Sequence, residues 1–533
     1  MTAPRRGGER AGPSLARNVF SNWTVTAASV GYSLFITPIV VRALSQDLYG
    51  IWSFLNGLIA YADLLYLGLG SALIKHVAKY TADRDQAGVN RVASVVLSIY
   101  STIGVACLIG MTAVAGLVPR LFAASLASGT AAAARDTSIL LGVQLLCVFV
   151  GSGFTGVLFG RDRFDLVNVV RLVMIGARSA VMPLAVHGAN PLLGLAVTMA
   201  VSTVVETVVL VVLAYRVDRD LHVRPTLPNA EELSSLYKFG VQSFLIVCAV
   251  RLISYTDTTV IGVLLGASSV AIYVLPLQLI EFVRLVLVGF SGVLLPKLTV
   301  SSASGDMRAV QRSFVLSVRV GATLAAFLAA NLAVLGAPFL ALWVGPEYAA
   351  SARWIIVALG AATVFQVYNS LMTLPYYQAL HLMAVPARVL MLEGLVNLIL
   401  SVVFARMYGV VGVAFATLLP TFFVSFLTLS RYLSKHLELP VSSVVWRSLG
   451  PAALIAALVL ATNWLLKGIV PDTSYGALFV RAAASAVPAL VAAVACSSPE
   501  ERQRARAALF GSPDDTRPAA PLAAKKNAAE AAV

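Results

Sequence analysis

Runs of about twenty apolar residues follow one another along almost the whole chain, and no other feature restricts the fold as much. At 1.5 Å per residue, each run is long enough to cross about 30 Å of hydrocarbon. There, every backbone N–H and C=O must find its partner inside the segment, which leaves the α-helix as the local structure. The chain has 533 residues, of which 59% are hydrophobic and 12% charged; soluble domains carry about 25% charged residues. About fourteen runs can be placed, so the sequence predicts an all-α, polytopic membrane protein with fourteen transmembrane helices.

The basic residues sort by loop. One alternating set of loops collects Lys75, Lys79, Arg84, Arg91, Arg161, Arg163, Arg216, Arg219, Arg224 and Lys238, then Lys297, Arg308, Arg312, Arg388, Arg431, Lys435 and Arg447. The other set has little beyond Arg42, Arg120, Arg135, Arg353, Arg406, Lys467 and Arg481. Lys and Arg mark the cytoplasmic side of membrane helices, so both ends are expected in the cytoplasm with an even number of spans between them. The formal charge of +14 then reports topology, and no nucleic-acid partner is indicated. Residues 1–18 read as a polar cytoplasmic tail, and the run behind them is too long for a cleavable signal. Cys107, Cys147, Cys248 and Cys496 sit in apolar runs at unrelated spacings, and the histidines show no metal spacing. Neither a disulfide framework nor a metal site is suggested. Gly151-Ser-Gly-Phe-Thr-Gly156 matches a dinucleotide fingerprint, but it lies within an apolar run and reads as helix packing. With no P-loop, GxSxG or HExxH, enzymatic chemistry has no support.

Sliding the chain against itself by about 221 residues reveals a repeat. Ala43–Trp52 falls on Leu264–Tyr273, Gly68 on Gly289, Asp85 on Asp306 and Arg91 on Arg312. Two six-helix lobes follow, 19–214 and 239–431, joined by a cytoplasmic linker at 215–238 that Pro225 and Pro228 interrupt. Two added helices occupy 448–496, and the Ala-, Pro- and charge-rich tail 497–533 reads as disordered. Spans are expected at 50–73, 269–294 and 351–375, and a closely spaced pair at 389–405 and 409–431. Six spans return the chain to its starting side, so the repeats run parallel about an axis along the membrane normal.

Several loop motifs add a family resemblance. They are Leu44-Ser-Gln-Asp-Leu-Tyr-Gly-Ile51, Asp63 with Gly68-Leu-Gly70, Asp257-Thr-Thr-Val-Ile-Gly262 with Ala271-Ile-Tyr273, Leu295-Pro296-Lys297 with Gly305-Asp306, and Leu342-Trp343-Val344-Gly345 with Tyr348. In order and spacing they resemble the polysaccharide (O-antigen and exopolysaccharide) flippases of the multidrug/oligosaccharidyl-lipid/polysaccharide exporter superfamily, over roughly residues 15–435. The resemblance implies a secondary flippase that moves a polyprenyl-pyrophosphate-linked glycan across the bacterial inner membrane by alternating access. It implies the lipid bilayer as surroundings, glycan polymerase and glycosyltransferases as partners, and proton or sodium coupling without another cofactor. Two relatives remain as alternatives, a cation-coupled multidrug exporter and a lipid II flippase. A membrane-embedded glycan polymerase is disfavoured by the short outer loops.

Charged residues inside the runs are the candidate site. An arginine at the bilayer centre costs about 2.5–3.5 kcal/mol even on the lenient insertion scale, so it faces protein or water. Arg171 and Arg178 are seven residues apart and leave one helix face. Arg171 is close enough to the cytoplasmic end to snorkel, which makes Arg178 the stronger of the two. Arg251 stands mid-run with Asp257 on a different face, so its partner must come from another helix, water or a cargo phosphate. Glu281 and Arg284 are at i, i+3 and can pair. Arg284 also falls on Asp63 in the repeat, which predicts that these opposite charges meet across the axis. The substrate-binding set is therefore Arg178, Arg251, Arg171 and Arg284, because guanidinium forks match phosphate oxygens. Asp63, Asp257 and Glu281 form the set for ion coupling or charge pairing. Arg319, Glu206 and Glu393 lie toward the cytoplasmic ends and read as interfacial.

Overall fold

The computed structural model describes residues 12–66, 68–123, 130–226, 229, 241–292, 294–497 and 502. Among them, all regular structure is helical. In the first lobe lie α1 (Gly12–Ala43), α2 (Gln46–Tyr61), the short α3 (Leu69–Ala82), α4 (Gln86–Leu121), α5 (Thr130–Gly160), α6 (Phe164–Val186) and α7 (Pro191–Val217). The second lobe holds α8 (Val241–Leu265), α9 (Ala267–Gly292), the short α10 (Leu294–Ala303), α11 (Met307–Trp343), α12 (Ala349–Gln366), the short α13 (Leu374–Ala379), α14 (Ala384–Pro420) and α15 (Leu427–His436). Then come α16 (Val441–Leu466) and α17 (Tyr475–Ala495). Thirteen segments of the described residues are long and apolar enough to cross a bilayer.

The longest of these, Ala384–His436, would measure about 80 Å as one straight helix. It is instead folded double. Gly409 has φ 63° and ψ −147°, a conformation that an L side chain resists. Asn397 reaches Thr417 (Nδ2 to Oγ1, 3.1 Å), and Glu393 accepts from Thr421 (2.6 Å). Both contacts are centred on residue 407, next to this bend, so the two arms run antiparallel.

Side-chain caps start the helices where the loops end. Ser45 accepts from Leu48 N at the head of α2, Asn190 from Leu193 N ahead of Pro191 at α7, and Ser474 from Ala477 N at α17. The repeat identity of Asp85 and Asp306 has the same cause, since each caps the long helix behind it, α4 and α11. Satisfying an otherwise orphaned N–H in this way contributes about 1 kcal/mol.

Alternating helix direction gives the molecule two faces. We term the one bearing Lys75, Arg161, Arg163 and Arg216 the basic face, and its opposite the far face. At the basic face the start of the linker is strapped to the first turns of α4. Asn90 binds Asp220 and His222, Ser94 receives Arg224 N, and Ser98 receives Thr226 N. Asp218 is ion-paired with Arg161 and accepts from Gln86. The remainder of the linker 215–238, most of the tail 497–533 and the first eleven residues of the tail 1–18 fall outside the described residues.

Two of the expected spans are not continuous helices. The run 50–73 ends as a helix at Tyr61, tightens into a 3₁₀ turn at Ala62–Tyr66 and resumes as α3 beyond Gly68. Lys75 and Lys79 then lie on a separate short helix. The run 351–375 loosens into a π-helical turn at Val367–Leu371 before α13, and such turns free backbone groups near functional sites.

Helix α16 packs along α11, and α17 touches both. A buried polar staple fixes them: Asn331 accepts from Ser485 (2.9 Å) and Asn463 (3.4 Å). Arg481, fully buried, donates to the Asn463 carbonyl (2.9 Å) and is ion-paired with Asp472.

A charged seam and its cavity

The lobes meet chiefly through α2 of the first and α8 and α9 of the second. Near the far face the seam is close-packed. Ser268 donates to Asp47 (2.7 Å), and Gln46 reaches the Ser268 carbonyl (3.5 Å). These two positions are related by the repeat, so the pseudo-two-fold axis passes between α2 and α9 here. A Cβ on Gly50 would overlap the Ala267 carbonyl oxygen, and one on Gly262 would overlap the Phe54 ring. Arg42 caps the end of α11 through the Leu342 and Trp343 carbonyls (3.1 and 3.2 Å), while Trp343 donates to the Leu34 carbonyl (2.8 Å).

Further toward the basic face the seam becomes polar. Tyr61 meets Thr256 (3.4 Å) and Thr259 (3.3 Å). One turn on, Arg251 of α8 forms an ion pair with Asp63 of the first lobe at 2.7 Å. These side chains remain 33% and 42% exposed, so they face an open space at mid-helix depth. Arg251 also donates to Tyr255 (3.3 Å), its guanidinium carbon 5.6 Å from that ring's centre. Beyond it, Arg284 pairs with Glu281 (2.5 Å) and donates to Thr363 (3.3 Å). Arg251, Tyr255, Glu281, Arg284, Asn369 and Glu393 line a cavity of about 290 Å³.

On the first-lobe side, Tyr66 is anchored to Ser152 (3.0 Å) and lies within electrostatic reach of Asp63 and Arg171. Arg178 donates to Ser202 (2.7 Å) and is ion-paired with Glu206 (2.8 Å), both on α7. Its charge is thus met inside its own lobe. Among the described residues, Arg171 is the one member of the set Arg171, Arg178, Arg251 and Arg284 with neither an ion pair nor a hydrogen bond. Depth alone put Arg178 ahead of Arg171, but the structure gives Arg178 partners within its own lobe. Arg284 pairs along its own helix and Asp63 pairs with Arg251, so the meeting of Asp63 with Arg284 does not occur.

Two acids are buried in the second lobe. Asp257 is 2% exposed and accepts from Tyr273 (2.7 Å), Ser401 (2.7 Å) and Thr417 (2.6 Å). Asn397 Oδ1 close by is buried with no hydrogen-bond partner. Glu393, 1% exposed, accepts from Thr421 (2.6 Å) and Ser425. It is a core residue at the cavity wall, which corrects the interfacial reading. A sequence signal for it existed: Glu393, Asn397 and Ser401 on one arm, and Thr417, Thr421 and Ser425 on the other, recur every four residues as matching polar stripes. Among the described residues no group of three His, Cys, Asp or Glu is placed to hold a metal.

Two helical halves related by the sequence repeat, with intramembrane arginines and carboxylates where they meet and a charged cavity on the second-half side, define a multi-pass membrane protein. The chain belongs to the polysaccharide biosynthesis protein family, which matches residues 15–302. It is 24% identical over 398 residues to the uncharacterized membrane protein EpsK of Bacillus subtilis (strain 168), covering 72% of this chain and 76% of that one. The fold is similar to that of the lipid II flippase MurJ in an inward closed conformation (TM-score 0.66, 14% identity, 91% of this chain and 100% of the other). It is also similar to an inward-facing multidrug resistance MATE family transporter of the MOP superfamily (TM-score 0.63, 16% identity, 76% and 94%).

Proposed function

We propose that the protein is a secondary flippase of the MOP superfamily, carrying an anionic polyprenyl-pyrophosphate-linked oligosaccharide across the bacterial inner membrane for surface or extracellular polysaccharide synthesis. On this reading the hairpin at Gly409 brings the crossings to fourteen, the basic face is cytoplasmic, and both ends lie on that side. Glycosyltransferases supply the substrate and a polymerase consumes the product. Family membership supports the polysaccharide assignment, and the fold shared with MurJ and a MATE transporter supports a carrier rather than an enzyme.

The observation that carries the proposal is the Asp63–Arg251 pair between the lobes, with Arg171 uncompensated and within electrostatic reach of Tyr66 on the first-lobe side. A pyrophosphate brings about two negative charges and matches the planar guanidinium fork. An ion pair this exposed contributes only about 0–1 kcal/mol, so phosphate oxygens can replace the Asp63 carboxylate on Arg251 at little cost. Arg171 then supplies the second cation. Replacing the pair removes a tie between the lobes, which lets them rock about the axis while the polyprenyl tail stays in the bilayer. A weak tie also favours release.

Coupling belongs to the same reading. Asp257, Ser401, Thr417 and the free Asn397 oxygen make a dry, oxygen-rich pocket with one formal negative charge, the donor set that suits a sodium ion or a proton. Glu281 lines the cavity, Asp63 pairs with Arg251 beside it, and both serve as charge-pairing groups. The test is cellular. Arg171→Ala and Arg251→Ala, each confirmed in the membrane, should reduce polysaccharide export by at least tenfold and let the lipid-linked precursor accumulate. Wild-type export by both variants would overturn the proposal. Dye resistance on overexpression without a polysaccharide phenotype would favour a multidrug exporter.

A further inference from the structure

A larger cavity, about 840 Å³, opens at the basic face on the flank of the second lobe, away from the charged seam. Three helices frame it. From α11 come Arg312, Val315, Leu316 and Arg319, spaced three and four apart on one stripe. Helix α16 contributes Trp446, Arg447, Pro451 and Leu454, and the end of α17 closes the third side with Cys496 and Ser497. Arg319 spans the gap, its Nη1 3.5 Å from the Cys496 carbonyl oxygen.

Among the described residues, three arginines line this cavity and no carboxylate does. Arg312 and Arg447 are exposed at its rim, and neither has an ion pair or hydrogen bond among the described residues. Arg319 lies two helical turns deeper, about 10 Å along α11. The floor between rim and depth is apolar, and Trp446 stands exposed beside the rim, as aromatic side chains do at headgroup level. A cationic mouth over a greasy groove, opening sideways between transmembrane helices, has the chemistry of a phospholipid with a charged head.

We propose that this flank cavity binds an anionic phospholipid of the surrounding bilayer, its phosphate held between Arg312, Arg447 and Arg319 and an acyl chain lying on Val315, Leu316 and Leu454. The bound lipid bridges α11 to α16 and α17 at the membrane surface. This site shares no residue with the seam cavity and does not depend on what that cavity carries.

Native mass spectrometry of the full-length protein in detergent tests it, with added phosphatidylglycerol and chain-matched phosphatidylethanolamine as probes. Wild type should retain one phosphatidylglycerol at least tenfold more tightly than phosphatidylethanolamine, and Arg312→Ala/Arg447→Ala should abolish that preference. Arg312→Lys/Arg447→Lys preserves the loop charge that sets topology and should lower retention about threefold through loss of the bidentate fork. The proposal is overturned if wild type shows no headgroup preference, or if either double variant binds phosphatidylglycerol as wild type does.

Discussion

The two ends of the inter-lobe seam come from the same pair of repeats and do opposite things. At the far face, Gly50 lies directly under the Ala267 carbonyl and Phe54 fills the notch at Gly262, so the helices touch backbone to backbone. Toward the basic face, the same helices present Asp63, Arg251, Glu281 and Arg284, half in contact with open space. Close packing of small residues makes a contact that is either fully made or fully broken. Weak, exposed ion pairs make one that a charged ligand exchanges in steps. The first suits a gate, the second a binding site.

The largest effect is expected at the gate. Gly50→Val drives a side chain into the Ala267 carbonyl and should abolish export. Cysteines replacing Asp47 and Ser268 should cross-link in the parent protein and fail to do so when Gly50→Val is added. Persistent cross-linking would show that the far seam tolerates bulk and is no gate.

Next come the charges at the open end. Arg251→Gln should lower export at least tenfold and Asp63→Asn less than about threefold, because only the arginine touches phosphate. Equal losses would make the pair a structural clamp. At the buried pocket, Thr417→Val withdraws a hydroxyl from Asp257, a change worth about 1–3 kcal/mol. It should lower the melting temperature by a few degrees and remove any stabilisation by sodium. Sodium stabilisation equal to that of the parent would exclude Asp257 from coupling. The smallest effect is expected for Arg178→Ala. Its charge is matched by Glu206 within one lobe, so export should stay within about twofold, and a loss as large as that of Arg171→Ala would restore Arg178 to the binding set.

The helices and the repeat were legible in the sequence because each rests on local chemistry. Apolar length sets the spans, including the closely spaced pair at 389–405 and 409–431, and the matched Asp85 and Asp306 follow from the repeat, each capping its helix in the structure. Pairing of the intramembrane charges was not legible, because it depends on how the lobes approach. Repeat symmetry predicts Arg284 opposite Asp63, but the axis runs beside Asp47 and Ser268, about 24 Å along α2 from Asp63. By that depth α2 and α9 have diverged, and Arg251 of α8 is the cation within reach. Likewise, depth ranked Arg178 above Arg171, and only the fold reveals that Glu206 neutralises it. The buried acid Glu393 was hidden by its place near a helix end, although the polar stripes facing each other about Gly409 carried its signature.

The central claim is that this seam holds a lipid-linked glycan through Arg171 and Arg251. Mass spectrometry of lipids co-purifying with the protein tests it most directly. A polyprenyl-pyrophosphate oligosaccharide should accompany the wild type and be lost from Arg171→Ala/Arg251→Ala. Equal occupancy in both proteins, or a bound cargo without a phosphate, would contradict it.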